Sequence, residues 1–348
     1  MAKLGEQIAS APAGSRADAD ARRALLEGLI DDAGLFPPAS LPVADAARAH
    51  RASKTGPTGW VMRRFVAPAS GLGELAGQIG DAEPFRWRLS VIVGAAGDDW
   101  VRSVRKDLRA ARRFADRVGP EAVRVEAVET AIQPGFVWSV ERLRGVLDGF
   151  LDALDESGLP GPVLPFFELP VAVGQPASIR AAIGAVAALD IGRGRVAEAA
   201  GAKVRCGGPA SAAFPSPERV AAFVSACARE DVPFKATAGL HRPFRHLDPE
   251  TGVLQHGFLN LAAATAFVLA DGLDGAKLAE VVADDRPDHF TLTSRGLGWK
   301  DLFADDWDLA VARRLFVGYG SCDFAEPIDA LSAMGGLPED AAGPRHGA

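Results

Sequence analysis

Short apolar runs of strand length alternate with stretches of helical periodicity along most of the chain, the pattern of a parallel sheet whose strands are joined by crossover helices. The first run, Leu29 to Phe36, follows a helical stretch from Asp18 to Glu27 and is closed by Pro37-Pro38, which stop a helix. A helix over Leu41 to Arg51, a strand over Trp60 to Val66, a helix over Leu72 to Ile79 and a strand over Arg88 to Gly94 come next. Asp98 to Val118 reads as a long amphipathic helix, Val123 to Glu129 as the fourth strand and Val140 to Leu154 as a helix. Val163 to Leu169 is the fifth strand and Ala177 to Ala188 the helix after it. The sixth and seventh strands are Ala202 to Gly208 and Phe234 to His241, and the eighth runs from Arg314 to Cys322. Eight such units predict an α/β fold: a single closed (β/α)8 barrel of the TIM type behind an N-terminal helix. The rival, a doubly wound open sheet, needs a GxGxxG turn after an early strand, and the chain has none.

The rhythm breaks between Asp284 and Asp308. There, Phe290-Thr291-Leu292 and Leu297-Gly298-Trp299 predict a hairpin inserted before the eighth strand, placed to cap the barrel or to form an interface between copies of the chain. The barrel is expected over residues 17–338, with residues 284–308 as the insertion and flexible arms over 1–16 and 339–348. At 348 residues, 48% hydrophobic and 24% charged, the composition is that of a folded globular unit.

A net charge of −7 leaves no basic surplus to neutralise a nucleic-acid backbone, and the basic run from Arg105 to Arg113 reads as a solvated helix face. The longest apolar stretch, Phe258 to Ala270, contains Asn260 and Thr265 and falls short of the roughly 20 residues a bilayer needs, so it is expected to be a buried helix. The three cysteines, Cys206, Cys227 and Cys322, have no metal-ligand spacing, and the first residues lack the apolar core of a signal peptide. A cytoplasmic protein follows as the expectation. Its partner is a small molecule rather than nucleic acid or membrane, and a homo-oligomer is compatible with the insertion.

Two segments carry the strongest chemical signal. Ala202-Lys203-Val204-Arg205-Cys206-Gly207-Gly208 and Phe234-Lys235-Ala236-Thr237-Ala238-Gly239-Leu240-His241 each place a lysine on an apolar run that ends at glycine. Alternation along a strand puts Lys203 with Arg205 on one face, and Lys235 with Thr237 and His241 on another, both aimed at one mouth. Active sites of such barrels lie at the carboxyl ends of the strands. The candidate roster there adds Asp31 or Asp32, one of Arg63 and Arg64, Glu126, Glu129, Glu168 and Ser321. Asp31 and Asp32 are consecutive, so only one is expected to point inward, and the same holds for the two arginines.

A lysine held in an apolar barrel beside another cation has a lowered pKa and can attack a carbonyl to form an imine. The Lys235-Ala236-Thr237-Ala238-Gly239 segment and the Tyr319-Gly320-Ser321 turn resemble the lysine and phosphate-loop motifs of class I aldolases of the deoxyribose-phosphate aldolase type. The resemblance covers the sixth to eighth strands. It implies that Lys203 forms the imine, that Lys235 is the neighbouring cation, and that Gly239, Gly320 and Ser321 offer donors to a phosphate; no cofactor is implied. The substrate expected is a small anionic carbonyl compound bound by Arg205, Thr237, Arg63 and Asp31, with Glu168 and His241 as acid or base. The chain departs from that family at Val204-Arg205-Cys206, where the family has small hydroxyl residues.

Three other readings stand beside this one. Lys203 and Arg205 could form internal ion pairs with Glu168 or Glu126 and close the mouth; a carboxylate beside Lys203 would raise its pKa and oppose imine chemistry. Glu126, Glu168, His241 and Asp31 or Asp32 could hold a metal for a lyase, isomerase or hydrolase, although no HxH or HExxH spacing supports it. A catalytically silent barrel used for binding is the third. His241 could instead pair with Asp248 on a surface loop, and His256 could cap the helix it precedes or face the mouth with Asn260. Cys206 and Cys322 read as packing residues.

Overall fold

Eight parallel strands close into a barrel in which each pairs with the next in sequence and the last returns to the first. The structure is a computed structural model describing residues 20–80, 82–94, 99–133, 135, 139–191, 194–208, 210–249 and 251–339. The barrel strands are β1 (Ile30–Asp32), β2 (Met62–Pro68), β3 (Trp87–Ile92), β4 (Val123–Ala131), β5 (Leu164–Leu169), β6 (Gly201–Arg205) and β7 (Phe234–Thr237). Two short antiparallel strands, β8 (His246–Leu247) and β9 (Leu254–Gln255), and a three-stranded sheet of β10 (Phe290–Thr293), β11 (Gly296–Trp299) and β12 (Leu302–Asp305) precede the eighth barrel strand, β13 (Phe316–Ser321). The helices are α1 (Ala21–Leu26), α2 (Val43–Thr55), α3 (Leu72–Leu75), α4 (Trp100–Val118), α5 (Val140–Ser157), α6 (Pro176–Ala187), α7 (Pro217–Glu230), α8 (Phe258–Ala270), α9 (Gly275–Ala283), α10 (Asp306–Leu315) and α11 (Ala325–Ala333). The barrel expected from the sequence is therefore present. The expected arm over 1–16 and residues 340–348 of the expected tail lie outside the described residues.

The main core lies between strands and helices. Outward residues such as Phe65, Leu89, Val91, Ala202, Val204, Phe234 and Ala236 are buried there against helix faces such as Val104, Leu108, Ala111 and Phe114 of α4. Phe234 stacks on Phe316 and Phe258 on Tyr319, at centroid separations of 5.2 and 5.1 Å, so that α8 seals against the eighth barrel strand. α8 is buried from Phe258 through Phe267, as its largely apolar sequence requires, and its Asn260 and Thr265 side chains are hydrogen-bonded. By contrast, the apolar part of the barrel interior is a small plug of Ala127, Phe166 and Val317 with Leu164. Gly201 makes room for it: a Cβ there would lie 2.5 Å from the Phe166 ring and 2.7 Å from the Pro233 carbonyl oxygen.

Three bulges shift the alternation of inward and outward residues. Ile30 pairs with Met62 and Asp32 with Phe65, so Arg63 and Arg64 together face Asp31. Between the Leu89–Val125 and Ser90–Ala127 pairs, Glu126 is the extra residue, and Val317 is extra between the Phe316–Phe234 and Gly318–Lys235 pairs. An extra residue bends its strand and changes where the neighbouring side chains point.

The expected hairpin over 284–308 is a three-stranded sheet, because Leu302–Asp305 adds a third antiparallel strand to Gly296–Trp299. It does not cap the mouth. It packs outside the barrel on α1, α8 and α10, and the Ser294 carbonyl accepts the Ala21 N–H. Trp299 is its buried centre; its Nε1 donates to Asp284 at 2.8 Å, and Lys277 and Lys300 lie over the ring. Among the described residues, no helix is long and apolar enough to cross a membrane.

Candidate functional site

An unbroken alternation of charge runs through the barrel interior. From the carboxyl-end mouth downward it passes Arg205, Glu168, Lys203, Glu129, Lys235, Asp31, Arg64, Glu126 and Arg88, drawn from every barrel strand except the eighth. β6 and β7 align Lys203 beside Lys235, and β5 places Glu168 beside Lys203. The Lys203 Nζ lies 2.7 Å from Glu129 and 2.9 Å from Glu168, and Arg205 Nε donates to the other Glu168 oxygen at 2.9 Å. Lys235 contacts both Asp31 and Glu129, with the Phe166 ring 5.4 Å from its nitrogen. Ser90 donates its hydroxyl to Glu129, and the Arg64 backbone N–H donates to Asp31 at 3.1 Å. Glu126 bridges Arg64 at 3.2 Å and Arg88 at 2.7 Å.

Burial grades along this chain of charges. The side chains of Lys235, Asp31 and Arg64 are each 2% exposed, whereas Glu168 is 13% and Arg205 49% exposed at the mouth. Burial alone would drive the carboxyls of Glu129, Asp31 and Glu168 upward. The lysines and arginines beside them outweigh it and hold all three below the ordinary carboxylate range. Burial likewise opposes the Lys203 ammonium, but Glu129 and then Glu168 overcome it and raise the lysine above its usual value. Lys203 is thus a firmly held ammonium. The lowered lysine pKa expected beside Lys235 is corrected: the two lysines are neighbours, but a carboxylate stands between them.

The other sequence candidates divide by position. Asp31 points inward and Asp32 outward, where Asp32 accepts the Gly34 N–H and meets buried His50 at 2.9 Å. Thr237 and Gly320 are paired at the mouth end, and a Cβ on Gly320 would lie 3.3 Å from the Thr237 hydroxyl. Gly239, at φ +67°, packs against the Cys206 carbonyl and Gly207, closing the turns that follow β6 and β7. Ser321 does not offer its hydroxyl to a mouth ligand. It pairs with the outward Asp32, is 2% exposed, and donates to the Asp323 carbonyl.

His241 does not share a face with Lys235 either. β7 ends at Thr237, and left-handed Ala238 (φ 60°) and Gly239 turn the chain away. His241 instead stands 3.2 Å from Glu326 and 3.9 Å from the Cys322 sulfur, while Asp248 bonds Thr251. Burial first, then Asp323 and Glu326, push the Cys322 thiol above its ordinary value. Arg63 is not at the mouth: its side chain packs 3.6 Å from the Cβ position of Gly28, before β1, at the opposite pole. His256 is buried on the Pro215 carbonyl at 2.7 Å, and Asn260 bonds the backbone of Arg245, Val281 and Asp284, so both are structural. The proposed metal ligands do not converge: among the described residues, no three His, Cys, Asp or Glu side chains are grouped to hold a metal. The basic run of α4 lines a surface depression of about 530 Å³ outside the barrel, in keeping with a solvated face.

Sequence reasoning left the facing of Glu126 and Glu129 open and passed over Arg88, Arg313 and Ser90. The β4 bulge is the reason two glutamates three residues apart both face inward, and no local sequence signal marks it. A scan against protein-family models finds no matching family, and a search of curated proteins finds no similar sequence.

Proposed function

We propose that this barrel is an enzyme acting on a small anionic carbonyl compound by proton transfer at the carbon next to the carbonyl. One observation carries the reading: Glu168, partly exposed at the carboxyl ends of the strands, touches both Lys203 and Arg205. Arg205, half exposed, is the group placed to take a carboxylate or phosphate of the substrate. When it does, Glu168 loses one of the two cations that hold its carboxyl low, and its proton affinity rises as the substrate seats. Glu168 then takes the carbon-bound proton; the electron pair moves into the carbonyl, and the Lys203 ammonium meets the charge that develops on oxygen. On a substrate with a hydroxyl next to the carbonyl, return of the proton to the former carbonyl carbon, with the hydroxyl proton passing to the other oxygen, gives an isomerase; departure of a hydroxyl or phosphate from the next carbon with its bonding pair gives a lyase.

The class I aldolase reading retains one supporting observation, the side-by-side placement of Lys203 and Lys235. It requires an amine to shed its proton, and two carboxylates within 3 Å of Lys203 work against that. Hydrogen–deuterium exchange separates the possibilities. Short keto acids and phosphorylated keto sugars incubated in D2O should exchange protons next to the carbonyl, and Glu168→Gln should abolish the exchange. Silence across that panel, or full exchange by Glu168→Gln, would sink the proposal. A borohydride-stable mass increase at Lys203 or Lys235 would replace it with the imine route.

A further inference from the structure

The opposite pole of the barrel holds more guanidinium than its carboxylates can pair. Arg63 makes no hydrogen bond or ion pair among the described residues, and its buried Nε has no partner. Arg313, from the last turn of α10, anchors its Nη groups on the carbonyls of Phe316, Glu27 and Gly28, yet its Nε is also buried and unpartnered. A third unpartnered N–H belongs to Arg64, whose Nη1 is 3.7 Å from Asp31, beyond hydrogen-bond range. Arg63 and Arg313 meet at Gly28, one packing on its Cβ position and the other donating to its carbonyl at 3.2 Å.

Of the carboxylates nearby, those inside the barrel are committed elsewhere, and Glu27 lies exposed and meets Arg313 through its backbone carbonyl alone. Asp31 is shared by Lys235 and Arg64, and Glu126 by Arg64 and Arg88. Burial, followed by neighbouring arginines, depresses Arg63 to about 10 and Arg313 to about 9, against an ordinary value of 12.5. Buried donors without acceptors and like charges without a counter-ion are both costly, and one bound anion relieves both. Arg63 and Arg313 are each only partly buried as whole residues, so a small solute can reach them from outside.

We infer that the N-terminal pole of the barrel is a binding site for a small oxyanion of the phosphate or sulfate class, seated between Arg63 and Arg313. The β2 bulge makes the site by placing two consecutive arginines opposite Asp31, and Arg313 supplies the facing guanidinium from the preceding helix. Guanidinium forks match tetrahedral oxyanions through paired N–H donors. This site is independent of the mouth, and its occupancy stabilises the closure of β13 onto β1, where Arg313 already bonds Phe316 on one side and Glu27 and Gly28 on the other.

The test is thermal unfolding and titration calorimetry with inorganic phosphate and sulfate, ionic strength being held constant with sodium chloride. Wild-type protein should show saturable binding and a Tm that rises with oxyanion but not with chloride. Arg63→Gln should weaken that binding at least about tenfold, while its Tm in chloride buffer equals or exceeds wild type because an unpaired buried cation has gone. Arg205→Gln should keep the phosphate response. The inference is overturned by a wild-type chain with no oxyanion-specific response, by Arg63→Gln retaining full affinity, or by loss of the response in Arg205→Gln alone. The last result would move the anion to the mouth and leave the proposed enzyme function standing.

Discussion

The two ends of the barrel interior are built from the same residue types and differ in balance. In the mouth half, Glu129 and Glu168 interleave with Lys203, Lys235 and Arg205, and every cation touches a carboxylate. At the N-terminal pole, Arg64 and Arg88 take up Glu126 and Asp31, Arg63 and Arg313 pair with neither, and among the described residues three buried N–H groups of Arg63, Arg64 and Arg313 are unpartnered. A buried charge that is paired and one that is not respond oppositely to deletion. Removing a partner from a balanced pair strands the other charge, whereas removing a surplus charge relieves repulsion. The buried charges of the mouth half, Glu129, Lys203 and Lys235, should therefore be intolerant of single neutral substitutions, and the surplus Arg63 at the pole tolerant.

The largest effect expected is at Glu129, which contacts both lysines. Glu129→Gln should lower unfolding stability by about 3 kcal/mol or more, because Lys203 and Lys235 each lose a counter-charge in a buried setting. Urea unfolding measures it. A loss below about 1 kcal/mol would mean that Glu168 and Asp31 suffice for the two lysines, and the contrast between the two ends would collapse.

Next in size is the pH dependence of that balance. Glu129, Asp31 and Glu168 are held below their ordinary values of 4.5, 3.8 and 4.5, so the unfolded chain binds protons in a range where the folded chain does not. Their contribution is complete above the unfolded values and disappears as pH falls through the folded ones. Lys203 is raised above 10.5, so its contribution is complete below that value and is lost only as pH climbs through the folded one. The urea midpoint should fall steeply below about pH 4.5, and Glu129→Gln should flatten that acid limb. An equally steep limb in the variant would place the linkage in other carboxylates.

The barrel was legible in the sequence because strand and helix periodicities alternate eight times; neighbouring parallel strands put Lys203 beside Lys235, and parity let only one of Asp31 and Asp32 face inward without saying which. Parity tells which way a residue faces but not how high it sits. The carboxylate between the lysines, Glu129, comes from a strand more than seventy residues earlier in the sequence, and its height is set by register. Arg63 was misplaced for the same reason: it belongs to the correct strand but the opposite pole. The bulges at Arg63–Arg64 and Glu126 defeat parity itself, and the strand end at Thr237 removed His241 from the face its spacing implied. The ion-pair alternative for Lys203 and Arg205, by contrast, was readable, since Glu168 is a cross-strand neighbour of Lys203.

A smaller effect sharpens how the mouth is shaped. Ala238 holds φ 60° where β7 turns off, a conformation a Cβ disfavours by roughly 1–2 kcal/mol. Ala238→Gly should raise stability by up to about 1 kcal/mol, after the entropy that glycine adds to the unfolded chain is subtracted. Calorimetric Tm values for the variant and wild type decide the sign, and a lower Tm would mean that the methyl group packs well enough to offset its strain.

Arg205→Gln should change stability least and function most. Half of the Arg205 side chain is in solvent, so its pair with Glu168 contributes about 1 kcal/mol or less, and Lys203 still holds Glu168 from the buried side. The same exposure leaves the guanidinium free to exchange Glu168 for a substrate anion, and the proposed chemistry depends on that exchange. Without the guanidinium, Glu168 is released from that cation in the free and bound states alike, so seating of the substrate no longer changes its proton affinity, and the substrate loses its charged anchor. Proton exchange next to the carbonyl should then fall sharply, with substrate affinity reduced as well, while urea unfolding moves little. A large stability loss with normal exchange would reverse the assignment and make Arg205 a structural closure of the mouth, the balanced end of the barrel extended to its last charge.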